Sequence, residues 1–141
     1  MSSKSNGRIL IVEDDLLLSM VEERLIQKLG HDVVGKAESG LEALDKVSEL
    51  NPDVVIMDIS LDGDLDGIET VQKIREESDV PVIYLSGSSD RYQYERAQKT
   101  GCVEFLTKPI TGGDLKEPLS KALNGSVQNK AASAQPLNKT A

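Results

Sequence analysis

Ile9-Leu10-Ile11-Val12 runs directly into Glu13-Asp14-Asp15, and Val54-Val55-Ile56-Met57 runs directly into Asp58. Short runs of β-branched and aliphatic residues between polar residues are typical of strands that are buried on both faces of a parallel sheet. The carboxyl ends of neighbouring parallel strands lie at one edge of the sheet, which is where open α/β sheets bind their ligands. Carboxylates crowded at that edge need a cation, and an oxygen-rich site with few protein ligands suits Mg²⁺.

Strand and helix patterns alternate along the chain. The predicted strands are Arg8–Val12, Asp32–Ala37, Asp53–Met57, Pro81–Leu85 and Val103–Thr107. The first helix should begin after an N-cap at Asp15, and its buried stripe should consist of Leu17, Val21, Leu25 and Leu29. We expect a polar fourth helix over Asp90–Thr100 and a short last helix over Asp114–Leu123. Because parallel strands need right-handed crossovers, this alternation predicts an α/β fold with a doubly wound parallel sheet.

The composition allows one compact domain. The chain has 141 residues, 38% of them hydrophobic, which is enough for one core but not for a second domain of ordinary size. We divide it into a polar lead over residues 1–7, a domain over 8–123 and a tail over 124–141. The tail has no acidic or aromatic residue and too little apolar surface to offset the entropy of ordering, so we predict that it is disordered.

Charge and cysteine content exclude several classes of protein. The formal net charge is −8, and within residues 8–123 there are 13 basic and 24 acidic residues, a net charge of −11. Such an acidic domain should bind neither nucleic acid nor an anionic membrane directly. A single cysteine, Cys102, cannot form a disulfide framework or a zinc cluster. With no apolar run of membrane-spanning length and no signal-peptide core, we expect a cytoplasmic protein.

Five short motifs lie at or near the ends of the predicted strands. They are Val12-Glu13-Asp14-Asp15, Pro52-Asp53-Val54-Val55-Ile56-Met57-Asp58, Asp66-Gly67, Leu85-Ser86-Gly87 and Phe105-Leu106-Thr107-Lys108-Pro109. In order and spacing they resemble the receiver domain of two-component response regulators, over residues 8–123. The resemblance implies a flavodoxin-like sheet of strand order 2-1-3-4-5, with helices on both faces.

The resemblance also implies a phosphorylation site. Asp58 would be the phosphoacceptor, whose carboxylate attacks phosphorus in line to form an acyl phosphate. Mg²⁺ would be held directly by Asp14 and Asp58, through water by Glu13, and by the backbone carbonyl of Ser60. Phosphoryl transfer spreads charge over the equatorial oxygens, so the protein contributes positioning and charge stabilisation.

Two more residues complete the implied site. Lys108 would supply a second positive charge, and Ser86 would donate a hydroxyl hydrogen bond to a phosphoryl oxygen. Taken singly, these residues would be interpreted as a solvated charge and a turn residue, and only their spacing relative to Asp58 gives them a role. The Lys108–Pro109 peptide bond is expected to be cis, as in the family.

Three positions depart from the commonest pattern of the family. Glu13 stands in place of aspartate, Ser86 in place of threonine, and Phe105 in place of tyrosine. On phosphorylation, the Ser86 hydroxyl should move toward the phosphate and Phe105 should turn inward. We expect a downstream partner, or a second copy of the chain, to detect phosphorylation at the face formed by the fourth helix, fifth strand and last helix, which includes Tyr94.

Three other kinds of site fit the sequence less well. A phosphatase of the haloacid dehalogenase type needs a second acid two residues after the phosphorylated aspartate, where this chain has Ser60. A flavodoxin-like carrier needs a loop of Ser, Thr and Gly after the first strand, and Glu13-Asp14-Asp15 would repel its phosphate. Asp62, Asp64 and Asp66 look like a calcium-loop fragment, but the matching glutamate is absent, so a solvated loop is favoured.

The sequence thus predicts a single-domain response regulator, not an enzyme, that receives a phosphoryl group on Asp58 from a histidine kinase or a phosphotransfer protein. The polar start at Met1 and the absence of a DNA-binding or enzymatic segment after Leu123 favour a stand-alone regulator that acts through protein contacts. A phosphorelay intermediate and a receiver excised from a hybrid kinase stay open as alternatives. A third alternative is a receiver-like interaction module without phosphate turnover, against which Asp14, Asp58, Ser86 and Lys108 argue together.

Overall fold

The computed structural model describes residues 7–132 of the chain, with side chains through residue 124. Strands and helices alternate along this part. The strands are β1 (Arg8–Val12), β2 (Asp32–Ala37), β3 (Val54–Asp58), β4 (Val82–Ser86) and β5 (Glu104–Thr107). The helices are α1 (Leu16–Lys28), α2 (Gly40–Leu50), α3 (Gly67–Ile74), α4 (Arg91–Lys99) and α5 (Gly112–Ala132).

All strand pairs are parallel, and the sheet order is β2-β1-β3-β4-β5. This confirms the predicted doubly wound, flavodoxin-like α/β fold. β1 and β3 are neighbours in the sheet, with Val12 beside Met57. The acidic residues that follow these two positions therefore leave the sheet at the same edge.

Two hydrophobic cores lie on opposite faces of the sheet, because successive strand residues point to opposite sides. The core under α1 and α5 contains Ile9, Ile11, Ile56, Ile83, Leu85, Ile26, Leu115 and Leu119. The core under α2, α3 and α4 contains Leu10, Val12, Val55, Met57, Tyr84, Ala43, Ile68, Val71 and Ala97. Burial of each Ile or Leu side chain stabilises the folded state by about 1.5–3 kcal/mol. The two cores together therefore hold the strand ends in fixed positions.

The buried face of α1 matches the predicted stripe only in its second half, where Leu25 and Leu29 pack against the core. Leu17 and Val21 are exposed, whereas Ser19, Glu22 and Ile26 face the sheet. The predicted N-cap at Asp15 is present, and its side chain accepts hydrogen bonds from the backbone N–H groups of residues 17 and 18. The helix therefore begins where expected, but it is rotated so that its first two turns bury polar residues.

The last helix is longer than predicted. We expected it to end at Leu123, with a disordered tail from residue 124, whereas α5 runs to Ala132 with Pro118 inside it. No proline follows Pro118 before residue 136, and residues 127–132 contain Ala, Gln and Lys, which favour helix. Residues 1–6 of the predicted lead and residues 133–141 of the predicted tail lie outside the described residues. Within residues 7–132, no helix combines the length and apolar character needed to cross a membrane.

The start of α3 lies directly against the end of β3. Asp66 caps α3 in a reciprocal capping box with Glu69, and the N–H of Gly67 donates to the carbonyl of Ile59. A Cβ atom at Gly67 would collide with the backbone carbonyl of Asp58 and the Cα atom of Ile59. Glycine is therefore required for α3 to approach the strand end that carries Asp58.

We predict that Gly67→Ala destabilises the protein by about 1–3 kcal/mol, because the backbone of Asp58 and Ile59 leaves no room for a methyl group. The matched control is Gly113→Ala, since a Cβ at that position of α5 makes ordinary van der Waals contact. Urea unfolding followed by circular dichroism measures both variants. Equal unfolding midpoints for the two variants would contradict the close packing of α3 on β3.

Candidate functional site

Three charged side chains from different strand ends meet on one face of the sheet. Glu13 continues the alternation of Ile9 and Ile11, Asp58 continues that of Ile56, and Lys108 follows Leu106 by two residues. The Nζ atom of Lys108 lies 3.2 Å from Glu13 Oε1 and 3.2 Å from Asp58 Oδ1. The side chains of Glu13 and Asp58 are only 1% and 3% exposed, so this ammonium group is their main charge partner.

The acidic residues form a cluster that could hold a metal ion. Carboxylate oxygens of Glu13, Asp14 and Asp58 lie within 4.8 Å of one another. Hard carboxylate oxygens suit Mg²⁺ or Ca²⁺, and so few protein ligands suit Mg²⁺, which usually keeps several of its waters. The residues present therefore fit the Mg²⁺ site that the sequence predicts.

Crowding of carboxylates at this cluster changes the protonation of Asp58. Burial, and next the neighbouring Glu13 carboxylate, raise the pKa of Asp58 to about 7, against the opposing effect of Lys108. Burial disfavours the charged form of Lys108, but the Asp58 and Glu13 carboxylates outweigh this effect and raise the pKa of the ammonium group. Lys108 is therefore a cation, and Asp58 is poised to titrate near neutral pH.

Backbone groups of the β1–α1 and β3–α3 loops hold the carboxylates in place. The N–H of Ser60 donates to Asp58 Oδ1 at 3.2 Å, and the N–H of Asp62 donates to Asp14 Oδ2 at 3.2 Å. The N–H of Asp15 donates to Glu13 Oε2, also at 3.2 Å. Each carboxylate of the cluster is thus positioned by a loop N–H group, which stabilises its charged form.

Ser86 and Phe105 have the opposite strand parity and lie on the other face of the sheet. The Ser86 hydroxyl donates to the carbonyl of Ser88 at 2.7 Å and accepts from the N–H of Ser88 at 3.1 Å. Phe105 packs edge-on against Tyr94 of α4, with 5.3 Å between ring centroids. In this structure, Ser86 therefore bonds within its own loop, while Glu13, Asp58 and Lys108 contact one another.

The peptide bond after Lys108 and the acidic loop after β3 each follow a charged residue of the site in sequence. The Lys108–Pro109 peptide bond is cis, as the resemblance implied. In the acidic loop, Asp66 caps α3 and pairs with Arg96 at 3.3 Å, while Asp62 and Asp64 are exposed.

The sequence interpretation missed Glu22, which belongs to the surroundings of the site. Glu22 lies on the buried face of α1 and is 3% exposed. Burial, and next the neighbouring Glu13 carboxylate, raise the pKa of Glu22 to about 9. Ser19, Glu22 and Ile26 also have helical spacing. The apolar residues Leu17 and Val21, however, predicted that a different face of α1 would be buried.

Comparison with known proteins identifies related sequences over most of the chain. Residues 9–120 match the response regulator receiver domain family. The chemotaxis protein CheY of Thermotoga maritima is 33% identical over 115 residues, which cover 81% of this chain and 95% of CheY. The transcriptional regulatory protein PdtaR of Mycobacterium tuberculosis is 32% identical over 83% of this chain, which spans 57% of the length of PdtaR.

Solved structures give the same result. The response regulator domain of Thermotoga maritima CheB is 33% identical and superposes with a TM-score of 0.77, covering 83% of this chain and 96% of that domain. The signal receiver domain of a modulated diguanylate cyclase from Desulfovibrio desulfuricans is 30% identical, with a TM-score of 0.81 over 87% of this chain and 98% of that one. The fold is therefore shared with these domains.

We predict that Asp58→Asn changes how stability depends on pH in metal-free protein. The pKa of Asp58 is about 7 in the folded state, against an ordinary value of 3.8. Protonated Asp58 therefore contributes stability that is fully present below about pH 4 and is lost as the pH rises through 7. Asparagine does not titrate, so the variant should become the more stable protein at about pH 8, by on the order of 1–3 kcal/mol.

Thermal unfolding in a chelating buffer between about pH 5 and pH 8 measures this difference. Asp45→Asn, an exposed aspartate on α2, is the matched control and should follow the wild-type profile. Parallel profiles for wild type and Asp58→Asn would show that the carboxylates of the cluster do not repel one another as described.

Proposed function

The chain belongs to the family of response regulator receiver domains, and on that premise we propose that it receives a phosphoryl group on Asp58 and signals by contacts with other proteins. The observation that carries the proposal is the contact of Lys108 with both Asp58 and Glu13, inside a cluster of carboxylates that fits Mg²⁺. The phosphoryl donor would be a histidine kinase or a phosphotransfer protein, in the cytoplasm. The chain acts as a signalling module, not as an enzyme with a substrate of its own.

In the proposed transfer, an oxygen of Asp58 attacks phosphorus in line. A P–O bond to Asp58 forms, the P–N bond to the donor histidine breaks, and its electron pair returns to the imidazole. Lys108 favours the ionised form of the attacking carboxylate and orients it through a 3.2 Å contact with Asp58 Oδ1. The N–H of Ser60 donates to the same oxygen, which leaves the other oxygen of Asp58 for the attack.

A divalent cation completes the charge balance of this site. Asp14 and Asp58 would hold Mg²⁺ directly, Glu13 would hold it through water, and the carbonyl of Ser60 would be the remaining protein ligand. Bound Mg²⁺ supplies charge neutralisation for the phosphoryl oxygens during transfer. Without it, three carboxylates face a single lysine, so an incoming phosphoryl group would be repelled.

The proposed output surface is the face formed by α4, β5 and α5. Phosphate on Asp58 would draw the Ser86 hydroxyl away from Ser88, and Phe105 would turn inward behind β4. A groove of about 480 Å³ already lies between α4 and β5, lined by Ser89, Arg91, Tyr94, Glu95, Phe105 and Thr107. A downstream protein or a second copy of the chain would dock on this face.

We predict that a small phosphodonor such as acetyl phosphate, with Mg²⁺, adds one phosphate to the wild-type chain and none to Asp58→Asn. Asparagine nearly preserves the shape of the side chain but removes the nucleophile. Intact-mass measurement detects the adduct, and its loss in hydroxylamine identifies an acyl phosphate. Asp45→Asn serves as the matched control and should be phosphorylated like wild type. Phosphate that persists in hydroxylamine, as a serine ester would, contradicts the mechanism.

We predict that Mg²⁺ binds modestly without phosphate and that Asp14→Ala weakens this binding at least about tenfold, because one of two direct carboxylates is lost. Calorimetric titration measures the affinity of each protein. Asp15→Ala is a nearby control that removes the helix cap but no metal ligand. Wild-type affinity in Asp14→Ala would rule out the assignment of this cluster as the metal site.

We predict that a beryllofluoride mimic of the phosphate changes amide exchange in residues 88–105, most strongly in the first turns of α4. Exchange near Thr100 should change least, since the Thr100 hydroxyl bonds Tyr84 at 2.9 Å and its carbonyl accepts from Arg75 at 2.8 Å. Hydrogen exchange with mass spectrometry resolves these segments. Changes confined to the loops around Asp14 and Asp58 would contradict the proposed output face.

A further inference from the structure

Asp14 differs from the other two carboxylates of the cluster in its contacts. Lys108 forms ion pairs with Glu13 and Asp58, whereas none of the ion pairs among the described side chains includes Asp14. Within the described residues, the one hydrogen bond of the Asp14 side chain comes from the N–H of Asp62, which donates to Oδ2 at 3.2 Å. The orientation of Asp14 therefore depends on the β3–α3 loop, which is distant from it in sequence.

The β3–α3 loop is held at several points, so the N–H of Asp62 is a fixed donor. Leu61, directly before it, is only 7% exposed and packs in the core under α2, α3 and α4. Directly after it, Gly63 has a φ of 109°, a left-handed conformation that lets the chain turn. The N–H of Gly67 closes the loop by donating to the carbonyl of Ile59 at 2.9 Å. These contacts hold the Asp62 peptide group in place.

Each of the two aspartates expected to hold the ion has one oxygen occupied by protein groups. Asp58 Oδ1 accepts from the N–H of Ser60 and lies 3.2 Å from Lys108 Nζ. Asp14 Oδ2 accepts from the N–H of Asp62. One oxygen of each carboxylate is thus left for a metal ion.

Ligation by one oxygen of each carboxylate discriminates between the two common divalent cations. Mg²⁺ requires near-ideal octahedral geometry and keeps several waters, whereas Ca²⁺ takes more oxygen ligands and can use both oxygens of a carboxylate. A site that offers single oxygens therefore suits Mg²⁺. If the Asp14 carboxylate were released from its donor, both of its oxygens would become available to the larger ion.

We propose that Asp62 is a positioning residue of the metal site, whose backbone N–H limits Asp14 to one-oxygen ligation and thereby favours Mg²⁺ over Ca²⁺. This inference rests on the proposed function, because it assigns Asp62 a role toward the Mg²⁺ site. Groups that orient metal ligands control the affinity of a site without touching the ion. The side chain of Asp62 is exposed, and its contact with Asp14 is made by the peptide N–H, so the role belongs to the backbone.

The test compares Asp62→Pro with Asp62→Ala, because both substitutions remove the carboxylate but only proline removes the N–H. A proline followed by a glycine of positive φ is a common pair in turns, so the loop should tolerate the change. Calorimetric titration measures the affinities for Mg²⁺ and Ca²⁺ separately. In Asp62→Pro the ratio of Mg²⁺ affinity to Ca²⁺ affinity should fall about tenfold, whereas Asp62→Ala should stay within about twofold of the wild-type ratio.

Asp64→Pro is the matched control for a proline in this loop. Asp64 is exposed, and within the described residues its N–H donates no hydrogen bond, so this variant should keep the wild-type ratio. A wild-type ratio in Asp62→Pro overturns the inference. An equal fall in Asp64→Pro also overturns it, because a general effect of proline on the loop would then explain the loss.

A measurement on the hydrogen bond itself keeps the inference testable if Asp62→Pro does not fold. In metal-free buffer, NMR spectroscopy detects this bond, since an amide proton that donates to a carboxylate resonates downfield. Asp14→Ala removes the acceptor, so the Asp62 amide resonance should move upfield while that of Asp64 stays in place. An Asp62 resonance that does not move overturns the inference.

Asp14→Ala also separates this inference from the function on which it rests. If Asp14→Ala loses Mg²⁺ affinity while Asp62→Pro keeps the wild-type ratio, the proposed metal site stands and the role of Asp62 is wrong. If Asp14→Ala binds Mg²⁺ like wild type, the proposed metal site itself fails, and the inference fails with it.

Discussion

The structure depends on the repulsion between buried carboxylates at the carboxyl edge of the sheet. Two unit charges about 4 Å apart interact by about 4 kcal/mol at an effective dielectric constant of 20, and Glu13 and Asp58 are nearly excluded from water. One lysine offsets part of this repulsion, and it comes from the far end of the chain, after β5. Lys108 therefore offsets the repulsion only when β5 is in place in the sheet. The repulsion that remains favours binding of a cation or a proton.

The alternation of side chains along the strands divides the site into two parts. Glu13, Asp58 and Lys108 lie on the face that packs against α1 and α5, whereas Ser86 and Phe105 lie on the face that carries α4. The sheet thus separates the charged cluster from Ser86 and Phe105, the two side chains that we propose respond to phosphorylation. A side chain that links the charged cluster to the opposite face of the sheet has to lie at a strand end. Ser86, the last residue of β4, has that position.

The strands and the charged cluster could be predicted because both follow from local pattern. Buried apolar runs predicted each strand to within one residue, and acidic residues at the ends of β1 and β3 had to meet once the sheet was parallel. The rotation of α1 could not be predicted, because Leu17 and Val21 belong to a regular apolar stripe and nothing local shows that Glu22 is buried. The hydroxyl direction of Ser86 depends on competition from the backbone of Ser88, which strand periodicity does not reveal.

The attachment of α4 shows how a change at Asp58 could reach the surface. Ala97 is the one residue within α4 that is fully buried, so polar ties largely set the position of this helix. The C-terminal end of α4 is anchored by the hydrogen bonds of Thr100. One turn before that end, Arg96 pairs with Asp66 at 3.3 Å. Asp66 caps α3, whose first residue lies against the Asp58 carbonyl, so the Arg96–Asp66 pair connects α4 to the loop that follows Asp58. Because a partly exposed ion pair stabilises its position by at most about 1 kcal/mol, the first turns of α4 can shift around the Thr100 anchor at little energetic cost. A helix held by a single buried residue thus lies beside the strand ends, where a small rearrangement can change the exposed face.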